Sequence, residues 1–342
     1  MSAPWLLFRR KQLIRMIKKS TRQYRSISKG FATLIQYALV GVNEYYVEIS
    51  NEHFELIKLT RSRLFEALSI EDKLNLVLEN YAEFEQEMFN CSVKKMLFST
   101  NAWSPDAWSS FIDDIHMVNR RIINLLTTCR LYIDQTSHNI CSIYGANSDQ
   151  ETAIKKRKSQ EYDSDCPAYR VMEAMRNYVQ HRELPIRRLS HNWQRIENGL
   201  EVLAKRTIEL SIDIETLSED KKFKRAVLAE LQDLGESVEF TPLLRQYLES
   251  IGRIHLKMRE ILSPDLPQWE EIIQRPITRY QEATGCIDGL RAVSIDESKI
   301  TETISIFSDF IKRRQMLESK NQYLTHYSSN FISSEAPKLK TD

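Results

Sequence analysis

Residues 174–185 read Ala-Met-Arg-Asn-Tyr-Val-Gln-His-Arg-Glu-Leu-Pro, and this run decides how the chain is read. It has the period of a helix. Ala168, Met172, Met175 and Val179 recur at three- and four-residue spacing, which puts them on one face. At about 100° per residue, Glu173, Asn177 and His181 fall on the other side, each one turn beyond the last. Pro185 cannot continue a helix and biases Leu184 away from α geometry. The spacing therefore predicts a helix over about 166–183 with His181 in its last turn, where partial negative charge favours a cation.

The same period extends outward in both directions. Tyr45–Ile49 alternates as a short strand, and a helix follows over roughly Asn51–Leu68. Leu74, Val77, Leu78, Tyr81 and Phe84 mark a helix from Glu71 to about Leu97. Phe111, Ile115, Val118, Ile122, Leu125, Cys129 and Tyr132 form the core stripe of a long third one. Residues 145–152 read as a loop. Beyond Pro185 the period changes: Ile208, Leu210, Ile212 and Ile214 alternate, and Asn198-Gly199 is a hairpin-turn signal. A β-hairpin over about 187–215 is expected beside the motif, as a substrate-guiding flap or a structural embellishment. Its His191 and Trp193 could stack a base. Ser218, with Glu219 and Asp220, opens a helix that Gly235 closes, and Thr241-Pro242 opens another that ends before Pro264. Helices over about 268–283 and 297–330 complete one elaborated domain, residues 44–330, before a polar tail at 331–342.

Composition agrees with a mainly α chain. Only 8 Gly and 9 Pro occur in 342 residues, which leaves few breakers and disfavours a sandwich or barrel. Five cysteines without a C-x-x-C pair argue against a disulfide framework or a zinc site, and Cys91, Cys129 and Cys141 read as small core residues. The histidines make no H-E-x-x-H pattern and there is no Gly-rich phosphate loop, so neither metal nor cofactor is expected.

The net charge of +1 hides an uneven distribution. Residues 1–43 carry nine Lys or Arg and no acid. This basic segment and the apolar stretch Phe31–Val42 lack both the length of a membrane span and a convincing cleavage site, so no stable membrane insertion is expected. The segment reads as a poorly ordered extension outside the fold, in a cytoplasmic protein. Residues 155–195 hold ten basic groups against five acidic ones. Lys155, Lys156, Arg157 and Lys158, with Arg182, Arg187 and Arg188, form a basic belt around the motif helix. Phosphate contacts dominate nucleic-acid affinity, so such a belt suits a polyanion; the other reading of the 155–158 run is a solvated loop.

Arg176, Asn177 and His181 concentrate the chemistry. Composition alone gives the pattern Arg-Asn-x3-His roughly 0.02 occurrences per chain. The run 174–185 resembles the signature of the HEPN (higher eukaryotes and prokaryotes nucleotide-binding) superfamily, and most of all an uncharacterised bacterial branch. The resemblance is strong at the motif and looser over roughly 45–330. It implies a HEPN-like helical bundle, here with a small β-hairpin insertion and additional C-terminal helices, and a homodimer whose two motifs face each other. Many such proteins are metal-independent endoribonucleases, hydrolases of toxin–antitoxin or phage-defence systems, restrained by an antitoxin or regulatory protein. Others only bind.

On that resemblance His181 acts as general base or acid, and Arg176 stabilises charge on the phosphorane-like transition state. Asn177 fixes the imidazole or bonds a phosphate oxygen. Glu173 and Tyr178 are supporting residues, although Glu173 also reads as a solvated helix carboxylate. The products are a 2′,3′-cyclic phosphate and a 5′-hydroxyl. The alternative is a non-catalytic helical module that binds RNA, a nucleotide or a protein. A third reading tethers the chain to a membrane surface through its basic N-terminus.

Overall fold

The computed structural model describes residues 36–42, 45–97, 105–198, 201–297 and 299–330. In chain order the elements begin with β1 (Tyr37–Val40), β2 (Tyr46–Glu48), α1 (Asn51–Leu97), α2 (Pro105–Tyr144) and α3 (Asp149–Gln160). A π-helical turn (Glu161–Asp165) leads into α4 (Pro167–His181), β3 (Arg188–Asn198), β4 (Glu201–Asp213), α5 (Ile214–Glu219) and α6 (Arg225–Leu234). Then come β5 (Ser237–Glu239), α7 (Phe240–Leu262), α8 (Leu266–Thr284), β6 (Arg291–Asp296), β7 (Lys299–Ser305) and α9 (Asp309–Lys320). The protein is mainly α, with small antiparallel sheets. Among the described residues no helix is long and apolar enough to cross a membrane.

Where the sequence favours one domain, the chain divides into two compact units. One contains the described residues up to Leu68 together with Pro264–Arg313; the other contains the described residues of Ser69–Ser263 and Arg314–Asn330.

The first unit is built on a four-stranded antiparallel sheet in the order β2-β1-β6-β7. Strand β1 is an inner strand, pairing Leu39 with Val47 of β2 and Val40 with Arg291 of β6. Ala38, Leu39 and Val40 are all buried, so both faces of this strand are covered and it reads as an unbroken apolar run. Ala38, Val40, Val293 and Ile295 form its core. At the end of β1 the Gly41 N–H donates to the Tyr280 hydroxyl of α8 at 2.9 Å, and that hydroxyl donates to the Tyr45 carbonyl at 2.9 Å. A Cβ at Gly41 would stand 2.8 Å from the same oxygen, which explains the glycine.

Two expectations fall here. Tyr37–Val40 lies inside the basic extension expected to stand outside the fold, yet it is the sheet's inner strand. Part of the apolar stretch Phe31–Val42 is thus a buried strand. Likewise 297–330 is not one helix: β6 and β7 form a hairpin and α9 begins only at Asp309. Lys-Ile-Thr-Glu-Thr-Ile-Ser alternates in burial, as a strand with one covered face must.

The second unit is the helical one. Phe84, Val118, Ile122, Leu125, Cys129, Tyr132, Met172, Met175, Tyr247 and Ile251 are all buried. Helix α4 packs against α2, α6 and α7. The expected break between 68 and 71 does not occur; α1 runs unbroken through both expected helices. Residues 149–160, read partly as loop, form α3, with Ser148 accepting from the Glu151 N–H as a helix cap. The expected hairpin is present as β3 and β4, joined by β5 on the far edge of β4. The single helix expected from Ser218 to Gly235 is two: Asp213 caps α5 by accepting from the Thr216 N–H at 3.4 Å, which leaves Ser218 in its last turn, and the helix that Gly235 closes, α6, opens only at Arg225.

Candidate functional site

Helix α4 carries the motif, and its sequence explains its seat. Pro167 occupies the first turn, where a missing N–H costs nothing. Ala168, Tyr169, Val171, Met172, Met175 and Tyr178 are buried, so the helix is clasped on more than the single predicted stripe. At its end the Arg182 N–H still donates to the Tyr178 carbonyl at 2.8 Å, after which Pro185 and Ile186 turn inward.

Asn177 and His181 are exposed and line one cavity of about 400 Å³. Arg182, Asp220, Lys222 and Lys224 share its wall, and Tyr178 and Phe223 meet edge to face there, their ring centres 6.2 Å apart. Arg176 donates from Nη1 to the Asn177 side-chain oxygen at 3.1 Å. The guanidinium therefore reaches the site through Asn177; Arg176 is not itself on the wall, and its Nε is buried without a hydrogen-bond partner.

A second cavity of about 340 Å³ shares Asn177 and Lys224 with the first. Glu173 lies on its wall and corrects the expectation of a solvated carboxylate. It is buried, accepts from Arg130 Nη1 at 2.6 Å and from the Tyr247 hydroxyl at 2.9 Å. The clasping of α4 by α2 and α7 buries this position, and the two donors satisfy it there.

The basic belt is only partly assembled at the site. Of the 155–158 run, which lies on α3 and not in a loop, Lys158 alone lines either of these two cavities. Its ammonium donates to the Ser137 hydroxyl at 3.0 Å and to the Ile133 carbonyl, and burial pulls it down to about 8. Lys155 pairs with Glu151 at 2.8 Å, and Arg157 pairs with Glu161 and with Asp165. Lys156 is exposed. Arg187 pairs with Glu183 and Arg188 starts β3, and neither lines these two cavities, whereas Arg182 lines the first and bonds Asp220 at 3.2 Å. His191 is lowered by burial and by the Lys95 charge, and the Trp193 side chain lies outside the described residues.

Sequence reasoning missed Lys222, Lys224, Arg130 and Tyr162, all on cavity walls. The run Lys221-Lys-Phe-Lys-Arg225 was the available signal, masked by the acidic sum of the longer segment around it. It also missed a buried cluster in the second unit. There His255 lies between Tyr132 and Glu71, and Arg259 binds Glu71 at 2.8 and 2.7 Å. Ser250 and Arg253 likewise bind the buried Glu161. Neither cluster opens into the two cavities, and both satisfy charges taken out of water.

No protein-family model matches the chain, and neither does any curated protein or solved structure.

Proposed function

We propose that this protein is a metal-independent endoribonuclease of the HEPN type, its helical unit a HEPN-like bundle that works as a homodimer in a toxin–antitoxin or defence setting in the cytoplasm. The observation that carries the reading is the meeting of Asn177 and His181 on one exposed cavity wall, with Arg176 bonded to Asn177 and Arg182, Lys222 and Lys224 close by. RNA brings its own nucleophile, so the protein need only move protons and hold charge. The 2′-oxygen attacks phosphorus as its proton passes to a base, the bond to the 5′-oxygen breaks, and that oxygen takes up a proton. A 2′,3′-cyclic phosphate and a 5′-hydroxyl result. His181 serves as base or acid, one role for each protomer's copy. Arg176 and Lys222 stabilise the developing negative charge, and Asn177 holds Arg176 toward the phosphate.

One observation favours the alternative of a non-catalytic binding module. Arg176 stands behind Asn177, not on the cavity wall, and such a guanidinium could serve packing alone. Single-turnover cleavage of RNA by the full chain separates the two. Loss of a general acid–base costs about 10²–10⁴-fold, and His181→Ala is expected to lose that much at an unchanged melting temperature. Arg176→Ala should fall by a comparable factor. Equal rates for wild type and both variants overturn the nuclease.

A further inference from the structure

The second cavity has no role yet in the chemistry above, and the inference drawn from it rests on the nuclease reading. Among its charged groups Glu173 is satisfied by Arg130 and Tyr247, Asp163 accepts from the Ser159 hydroxyl at 2.6 Å, and the half-buried Lys158 is taken up by Ser137 and Ile133. Lys224 differs. It is exposed, and its ammonium donates to a neutral oxygen, the Tyr162 hydroxyl, at 2.7 Å, while standing 5.2 Å from the centre of that ring. It is also one of the two residues, with Asn177, that line both cavities. Tyr162 is held in turn: it lies in the π-helical turn, its carbonyl accepts from Arg170 Nη1 at 2.6 Å, and its ring meets Tyr169 edge to face at 6.0 Å. Such turns recur at functional sites.

We propose that the cavity beyond Asn177 is a nucleotide subsite adjoining the cleavage centre, and that Lys224 grips the phosphate joining the nucleotides held on its two sides. Each cavity lies near the small end of the roughly 300–1,000 Å³ range of ligand pockets, which suits one nucleotide apiece. Tyr162 is the positioning residue, fixing the ammonium between them. Arg130 and Lys158 also line this cavity, beside the carboxylates of Glu173 and Asp163.

The test uses the full chain and a ladder of RNAs from the dinucleotide upward. Wild type should gain in kcat/KM when the substrate is extended into the subsite. The lost charge-assisted bond should cut that gain, expressed as long over dinucleotide substrate, by about tenfold in Lys224→Gln. Tyr162→Phe should cut it by a smaller factor. A gain that Lys224→Gln leaves intact overturns the subsite. If wild type cleaves no RNA, the nuclease reading fails on its own, and the subsite is then read from fluorescence anisotropy of a labelled 2′-O-methyl trinucleotide. Binding about tenfold weaker in Lys224→Gln supports it; equal binding rejects it.

Discussion

Asn119 of α2 and Ile186, just beyond the motif helix, bond each other twice. The Asn119 Nδ2 donates to the Ile186 carbonyl at 2.8 Å, and the Ile186 N–H donates to Asn119 Oδ1 at 3.0 Å. A buried side-chain amide thus stands in for a neighbouring strand and fixes where the chain leaves His181. Asn119→Ala strands two buried backbone groups, at about 1–3 kcal/mol each. We expect the variant to lose about 2–6 kcal/mol of stability in urea unfolding and to be cut faster by trypsin at Arg182 or Arg187. An unchanged urea midpoint contradicts this role.

Glu173 is expected to matter for stability before chemistry. Its removal leaves Arg130 with Asp134 and with partial access to water, so the loss is well short of a fully buried pair. Glu173→Ala should cost about 1–3 kcal/mol in chemical denaturation. Glu173→Gln should cost less, because the amide oxygen still accepts from Tyr247. If both unfold at the wild-type midpoint while activity is lost, Glu173 acts in the reaction itself.

How much of this was legible in sequence depends on how local each signal is. The stripe from Ile115 to Tyr132 repeats within one helix, and the alternation Ile208, Leu210, Ile212 within one strand, so both were readable and both elements are present, although Ile214, at the end of that alternation, already opens α5. Strand β1 was not, because its partner Arg291–Asp296 lies far along the chain and its own four residues look like any short apolar run. The β6–β7 hairpin hid among polar residues that also fit a helix. At the site, Asn177 and His181 share a face because they are one turn apart. Lys224 and Phe223 reach them only through the packing of α6 on α4, which no local spacing encodes.

Acid should destabilise the helical unit through the His255 cluster. The Tyr132 hydroxyl lies 2.9 Å from His255 Nδ1 and Glu71 lies 3.1 Å from Nε2, so a neutral ring with its proton on Nε2 serves both. Burial lowers His255 from its ordinary 6.5, against the pull of Glu71. Below pH 6.5 the unfolded chain therefore takes a proton that the folded one refuses, and stability falls. Burial alone would raise the Glu71 carboxyl, but Arg259 and His255 outweigh it and hold it at about 2, against 4.5 when free. Its contribution, about 3 kcal/mol, is present above pH 4.5 and lost as the pH falls toward 2. Urea midpoints should therefore drop between pH 7 and pH 3. Glu71→Gln should be weaker at neutral pH and flatter below pH 4.5; a wild-type slope there contradicts the assignment.

The end groups left on RNA test the central claim most directly. The full chain is incubated with RNA in EDTA, and the fragments are analysed beside those from His181→Ala. The account predicts 5′-hydroxyl and 2′,3′-cyclic phosphate ends from wild type and essentially no fragments from the variant. Fragments ending in 5′-phosphate, or the same cyclic ends from both proteins, would contradict it.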